Sequence, residues 1–396
     1  MASSRKNRAL YIDGEALSTL ALVKAGLIAP VKKLMDQKTA AEVDSTKLYQ
    51  GFPFPFAFIL APKGRVNRKV LLSASKGEVL DLISKNRKVG QIIVDETFPI
   101  DPKERLHNIY GTSDSAHPGV KNTMARLGDI AVSGEYQVDY PLIDDNIKRI
   151  RSLINRTGAR KISSIMLAAN PFNRAHERMI RQALNTSDMM VIFLRKPFTS
   201  EGLRYDIRYN ALSRFVEYFL PRNKVIIIPF ENTYIFAGYN ELILDALLAK
   251  NYGCNELVIG KNHAGLGLYY DKNRLNTIFD GFKDIDITIT TVDEYVYCDT
   301  CKTLVSPQTC PHGEHHHTHY HSNSILKLLQ SGIIPPSLLV RKEVSANILS
   351  ALFPDRFENL QEMHHSIMPG SGLLEQQSEE QFYIKLAELY QTSSLA

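Results

Sequence analysis

The chain has 396 residues, a formal net charge of +5 and 44% hydrophobic residues, which predicts two or three domains, each able to bury its own core. Its 47 lysines and arginines are dispersed rather than gathered into a dense stripe, which argues against a nucleic-acid partner. No apolar run approaches the roughly 20 residues of a membrane span, and residues 1–8 are polar and basic with no signal core behind them, so no membrane partner and a cytoplasmic location are expected.

Residues 1–140 read as mixed β structure with some helix. Positions 17–35 are helix-like, and 52–62 and 69–73 read as short strands. Residues 111–120 (GTSDSAHPGV) are rich in turn formers and predict a tight structural turn, with an anion nest as the lesser alternative. Strand character resumes over 128–140. From about 141 the rhythm changes. Apolar strands at 162–168, 189–194, 225–229, 256–260 and 285–289 alternate with helical stretches at 176–184, 204–219, 241–251 and 274–282. That alternation predicts an α/β fold, a parallel sheet with helices on its faces. Ligands of such sheets bind beyond the carboxyl ends of the strands. A third piece follows, with helices at 323–331 and 341–353, a linker at 368–372 and a closing amphipathic helix at 374–390.

One stretch organises the rest. The apolar run ending at Ala169 breaks at Asn170-Pro171 and passes at once into Phe172-Asn173-Arg174-Ala175-His176-Glu177. Proline suits the first turn of a helix. A strand feeding a helix N-terminus leaves unpaired N–H groups facing one spot, a seat for phosphate. Asn173 and His176, three apart, share one face of that turn. An ordinary strand–helix junction with a buried histidine is the competing reading.

Three of the four cysteines crowd together as Cys298-x2-Cys301-x8-Cys310, followed by His312, Glu314, His315, His316, His317, His319 and His321. A CxxC knuckle with a third cysteine and a histidine close behind predicts structural zinc in a closed tetrahedral site. The fourth ligand is open among His312, His315 and His316, and we place His315 in the set. Clustered reduced thiols fit a reducing compartment.

These motifs resemble those of ATP sulfurylase (sulfate adenylyltransferase), over nearly the whole chain. Gly111-Thr112-Ser113-Asp114 with His117-Pro118-Gly119-Val120 resembles the family's GT-x-D-x-x-HPGV loop, and Asn170 to Glu177 resembles its N-P-x-H-x-x-H-E. Asn251-Tyr252-Gly253-Cys254 and Gly260-Lys261-Asn262-His263-Ala264-Gly265 resemble NYGC…GRDHAG. The cysteine cluster resembles the zinc site of bacterial members, and Pro336 onward the C-terminal segment. The resemblance implies a PUA-like N-terminal domain (1–140), a Rossmann-like nucleotidyltransferase domain (141–322) and a small C-terminal domain (323–396). It also implies joining of ATP and sulfate to adenosine 5′-phosphosulfate and pyrophosphate, with magnesium, in a homo-oligomer. Carried over by motif, Asn173, His176 and Lys261 would be catalytic, and Asn170, His176, His263, Ala264 and Gly265 would bind the nucleotide.

The departures concern the acceptor. The family's Q-x-R, whose glutamine and arginine hold sulfate, reads Leu167 and Ala169 here. Asn173 replaces the first histidine of H-x-x-H, and Lys261 and Asn262 replace the arginine and aspartate of GRDHAG. M-R-Y-A-G-P-R-E appears as 234–241 without its arginines, and S-G-T as His321-Ser322-Asn323. Losing two charge-assisted contacts predicts sulfate affinity lower by roughly 10²–10⁴-fold unless another group steps in. Arg174, Lys196 and Arg208 are the nearest candidates. Two further readings compete: a nucleotidyltransferase with a less charged acceptor, and a non-catalytic homologue with a structural or regulatory role.

Overall fold

The computed structural model describes residues 7–196, 202–221, 223–231, 240–260, 285–368 and 374–391. These fall into two compact units, one drawn from 1–164, 231–257 and 262–290, the other from 165–230, 258–261 and 291–396.

The N-terminal part of the first unit runs β1 (Arg8–Tyr11), α1 (Gly14–Lys24), α2 (Gln37–Thr46), the short hairpin β2 (Leu48–Tyr49) and β3 (Phe52–Pro53), and β4 (Leu60–Pro62). It continues with α3 (Arg65–Leu72), β5 (Val79–Ser84), β6 (Arg87–Pro99), α4 (Pro102–Tyr110), α5 (Pro118–Arg126), β7 (Leu127–Val138) and α6 (Pro141–Thr157). Five strands form one sheet in the order β1-β5-β6-β7-β4. β1 lies parallel to β5 with Arg8 opposite Leu80, and the other pairings are antiparallel. In β5 the burial alternates residue by residue, the period-2 pattern of a sheet with one face on the core.

Three expectations fail here. The strand expected over 52–62 is broken into β3 and β4, with no strand over 54–59. Residues 69–73 are not a strand but lie in and just after α3, because Asn67, Val70 and Leu71 fall on one face at helical spacing and are all buried. The helix expected over 17–35 stops at Lys24, where Gly26 takes φ +76°, the left-handed conformation that ends helices. The 111–120 loop behaves as the structural turn. Asp114 Oδ1 accepts from Ala116 N at 2.9 Å, and His117 Nδ1 accepts from Gly119 N (3.2 Å) and Val120 N (3.4 Å), capping α5.

The second sheet contains β8 (Ile162–Leu167), β9 (Met189–Lys196), β10 (Val225–Glu231), β11 (Glu256–Gly260) and β12 (Thr288–Val292). Helices α7 (Arg174–Leu184), α8 (Tyr205–Phe219) and α9 (Glu241–Asn251) fill the first three connections. The order is β10-β9-β8-β11-β12, or 3-2-1-4-5 along the chain. This is the order of a doubly wound α/β sheet, whose crevice opens at the carboxyl ends of the two strands where the order reverses, here β8 and β11. Every residue of β8 is buried, as a central strand covered on both faces requires. The strand expected at 285–289 begins three residues later, and the helix expected at 274–282 lies outside the described residues.

The remaining described elements, all in the second unit, are a small sheet of β13 (Val296–Cys298), β14 (Thr303–Val305) and β15 (His317–Thr318), then α10 (Ser322–Gln330), α11 (Lys342–Leu352), α12 (Arg356–Ile367) and α13 (Glu379–Gln391). Residues of β8, β9, α8, α11 and α13 share one core, in which Ile165, Ile192, Phe215, Ile348 and Tyr383 are buried.

Candidate active site and metal cluster

β8 delivers the chain to Ala169, which adopts φ +48°, and then to a cis Asn170–Pro171 bond. Left-handed geometry at alanine costs about 1–2 kcal/mol, so the surroundings impose this corner. Part of the constraint is Asn170, whose Oδ1 accepts from Leu203 N at 2.9 Å. Gly202 beside it has φ +80°, and a β-carbon there would run into Asn170 Nδ2. Leu167 and Ala169, where the family resemblance expects sulfate ligands, are buried within the apolar core.

Asn173 caps α7, its side-chain oxygen accepting from Ala175 N (3.0 Å) and His176 N (3.4 Å). His176 Nδ1 reciprocates by accepting from Asn173 N at 3.1 Å, completing a capping box. The remaining N–H groups of the turn are also engaged, Arg174 N with Leu339 O (2.8 Å) and Glu177 N with Asn173 O (3.1 Å). The open seat expected at this helix start is therefore filled by the protein's own acceptors. Burial lowers the His176 pKa to about 4. Its ring stacks on Phe172 at 5.6 Å. With Nδ1 serving as acceptor, the neutral ring carries its proton on Nε2. Asn173 Nδ2 reaches Ser322 Oγ at 3.3 Å.

Behind the cap sits a charge cluster. Glu177, 5% exposed, receives Arg341 bidentately (Nε to Oε2 2.8 Å, Nη2 to Oε1 2.6 Å), Arg181 Nε at 2.9 Å and Arg174 Nη1 at 3.1 Å. Burial pushes its pKa up, but the hydrogen bonds from Arg341 and Arg181 outweigh that and bring it down to about 2. Arg341 also lies over the Phe219 ring, 3.9 Å from its centre.

On α8 the buried face is Ile207, Arg208, Ala211, Leu212 and Phe215. Arg208 is 3% exposed, and its Nη1 donates to Ala168 O at 2.8 Å. Its Nε and Nη2 have no partner, and the guanidinium carbon sits 5.9 Å from the centre of the Tyr205 ring. Arg174 is committed to Glu177 and to Ser337 O, whereas Lys196 lies over the Tyr205 ring at 5.7 Å. Lys261, His263, Ala264 and Gly265 lie outside the described residues.

The cysteine cluster is a compact tetrad, and its fourth member is His312, not the expected His315. His312 Nδ1 lies 3.4 Å from Cys298 Sγ, 3.3 Å from Cys301 Sγ and 3.5 Å from Cys310 Sγ, and the Cys301 and Cys310 sulfurs are 3.9 Å apart. His315 instead packs on His316, ring centres 4.1 Å apart, because the short helical turn at Glu314–His316 carries it away. Among the described residues this is the one His/Cys/Asp/Glu group that could hold a metal. Tetrahedral ligands at about 2.3 Å from zinc are about 3.8 Å from one another, so the spacing fits.

A doubly wound sheet with a polar motif at the reversal of strand order is the class of α/β protein that handles nucleotides. A family model described as ATP-sulfurylase matches residues 144–351, and one described as PUA-like domain matches 1–139. A sulfate adenylyltransferase of Chloroflexus aurantiacus is 30% identical over 355 residues, covering 87% of this chain and 91% of that one. One from Symbiobacterium thermophilum is 28% identical, covering 88% and 90%. A structure titled hexameric APS kinase from Thiobacillus denitrificans superposes with a TM-score of 0.64 at 16% identity, covering 93% of this chain and 71% of that one, a likeness of fold. The chain belongs to the ATP-sulfurylase family.

Proposed function

We propose that this chain is a nucleotidyltransferase of the sulfate adenylyltransferase type, in which a sulfate oxygen attacks the α-phosphorus of ATP and pyrophosphate leaves. The observation that carries this reading is position. In a chain of this family, the Asn170–His176 motif directly follows β8, one of the two strands at the reversal of sheet order. Both reactants are anions, so the site must supply donors and in-line placement more than proton transfer. His176 fits a donor's role. It is neutral near pH 7, holds its ring orientation through Asn173 N, and offers Nε2–H to a phosphate oxygen. By the family motif, Asn173 and Lys261 are proposed as further catalytic residues, and Asn170, His263, Ala264 and Gly265 as nucleotide-binding residues. Among the described residues, Glu177, the carboxylate next to His176 in sequence, is held by three arginines. Magnesium is proposed with the ATP phosphates, whose charge it would neutralise.

Zinc is proposed at Cys298, Cys301, Cys310 and His312, as a closed structural site. His312→Ala is expected to lose bound zinc by elemental analysis and His315→Ala to retain it; the reverse result would reassign the ligand. We further propose the domain division 1–140, 141–322 and 323–396, a cytoplasmic location, a role in sulfate assimilation and self-association, the last read by sedimentation. No helix of the described residues is long and apolar enough to cross a membrane.

The burial of Leu167 and Ala169 favours, as a second reading, a changed acceptor on the same nucleotide site. Pyrophosphate release from ATP and magnesium, with and without sulfate, tests both. Sulfate-dependent release above the no-enzyme control supports the first. Release only with another acceptor supports the second, and failure to bind millimolar ATP overturns both.

A further inference from the structure

Among the described residues, Arg208 is a buried cation without an anion. Its Nη1 is tied to Ala168 O, yet Nε and Nη2, the two donors along one edge of the guanidinium, are shut from solvent and bonded to nothing. A desolvated guanidinium stays charged in proteins, so its charge needs compensation. The Tyr205 ring face at 5.9 Å compensates only in part. Among the described residues no carboxylate does so, in contrast to Arg174, Arg181 and Arg341 of the same unit, which all reach Glu177. The place also matters. Ala168 O lies just past the carboxyl end of β8, at the reversal of strand order, and one residue before Ala169. An Nε–Nη2 edge is the geometry that meets two oxygens of one tetrahedral anion.

We propose that Arg208 binds a tetrahedral oxyanion through its Nε–Nη2 edge, supplying from α8 the fork that position 169 lacks. The assignment of the anion to catalysis rests on the sulfate adenylyltransferase reading; the binding itself does not. Two sources share this chemistry, free sulfate as acceptor and a phosphate group of ATP.

The test uses the full chain as wild type, Arg208→Met and Arg208→Lys. Melting temperature is followed in sodium sulfate against sodium chloride at matched ionic strength, and ATP is titrated by calorimetry without sulfate. General salting-out stabilisation by sulfate is common to all three proteins and cancels. The expected result is a sulfate-specific rise in wild type whose half-effect concentration moves up about 10–100-fold in Arg208→Met, with Arg208→Lys between them. ATP affinity should stay within about twofold if sulfate is the source. A drop in ATP affinity with unchanged sulfate response keeps the oxyanion role and assigns it to the nucleotide. If all three proteins respond alike to both ligands, the proposal is overturned. Should Arg208→Met fail to fold, Arg208→Lys reads the same loss of the fork. Wild type that shows the sulfate rise but no sulfate-dependent pyrophosphate release overturns the catalytic reading and leaves Arg208 as an anion-binding residue.

Discussion

Two buried charges in the second unit have opposite surroundings. Glu177 meets three guanidinium groups, one of them bidentate. Arg208, equally buried, meets a carbonyl and a ring face. A charge whose partners are all supplied by the fold is part of the scaffold. A charge whose donors are left over points to a partner from outside. The contrast separates the groups that hold α7 in place from the group that α8 offers to a ligand.

The sharpest way to break this contrast is Glu177→Ala. It leaves three arginines facing one another around a buried void and should cost about 3–5 kcal/mol in urea unfolding. A loss below about 1 kcal/mol would show that the cluster is not a brace. Acid provides the second test. His176, neutral in the fold with a pKa near 4 against 6.5 unfolded, contributes stability that is complete above pH 6.5 and lost as pH falls toward 4. Glu177, with a pKa near 2 against 4.5, contributes stability complete above pH 4.5 and lost as pH falls toward 2. Each is worth up to about 3 kcal/mol. Stability measured against pH should thus fall in two stages, and His176→Gln should remove the upper one. Gly202→Ala, forced against Asn170 in a left-handed conformation, should cost about 1–3 kcal/mol by thermal unfolding. The smallest effect is predicted for Arg208→Met in anion-free buffer. Removing an uncompensated charge offsets the lost bond to Ala168 O, so stability should stay within about 1 kcal/mol of wild type. A loss approaching that of Glu177→Ala would make Arg208 scaffold as well.

Much of the second sheet was legible. Its first four strands and the helices between them announce themselves by apolar runs and periodicity, and β11 falls on residues 256–260 as expected. The Asn170–His176 motif was equally plain as a strand–helix junction. Its hydrogen bonding was not. That Asn173 caps its own helix and His176 caps in return depends on side-chain rotamers, which spacing does not encode. Residues 69–73 misled because the short apolar run Val70-Leu71-Leu72 suits strand and helix alike, and only the burial of Asn67 settles the phase. His312 and His315 could not be ranked from a run of histidines, since the turn at Glu314–His316 decides which ring swings inward. The Glu177–Arg341 pair, 164 residues apart, left no local signal.

That separation has a consequence for how the protein is made. While the ribosome is still adding residues before 341, α7 can form with its own cap, yet its buried carboxylate lacks the bidentate partner and Arg174 N lacks the Leu339 carbonyl. The motif that opens the helix is thus completed only by late-synthesised sequence. Nascent chains shorter than about 341 residues beyond the exit tunnel should carry an unlatched helix start, open to proteases and chaperones that the finished protein does not admit.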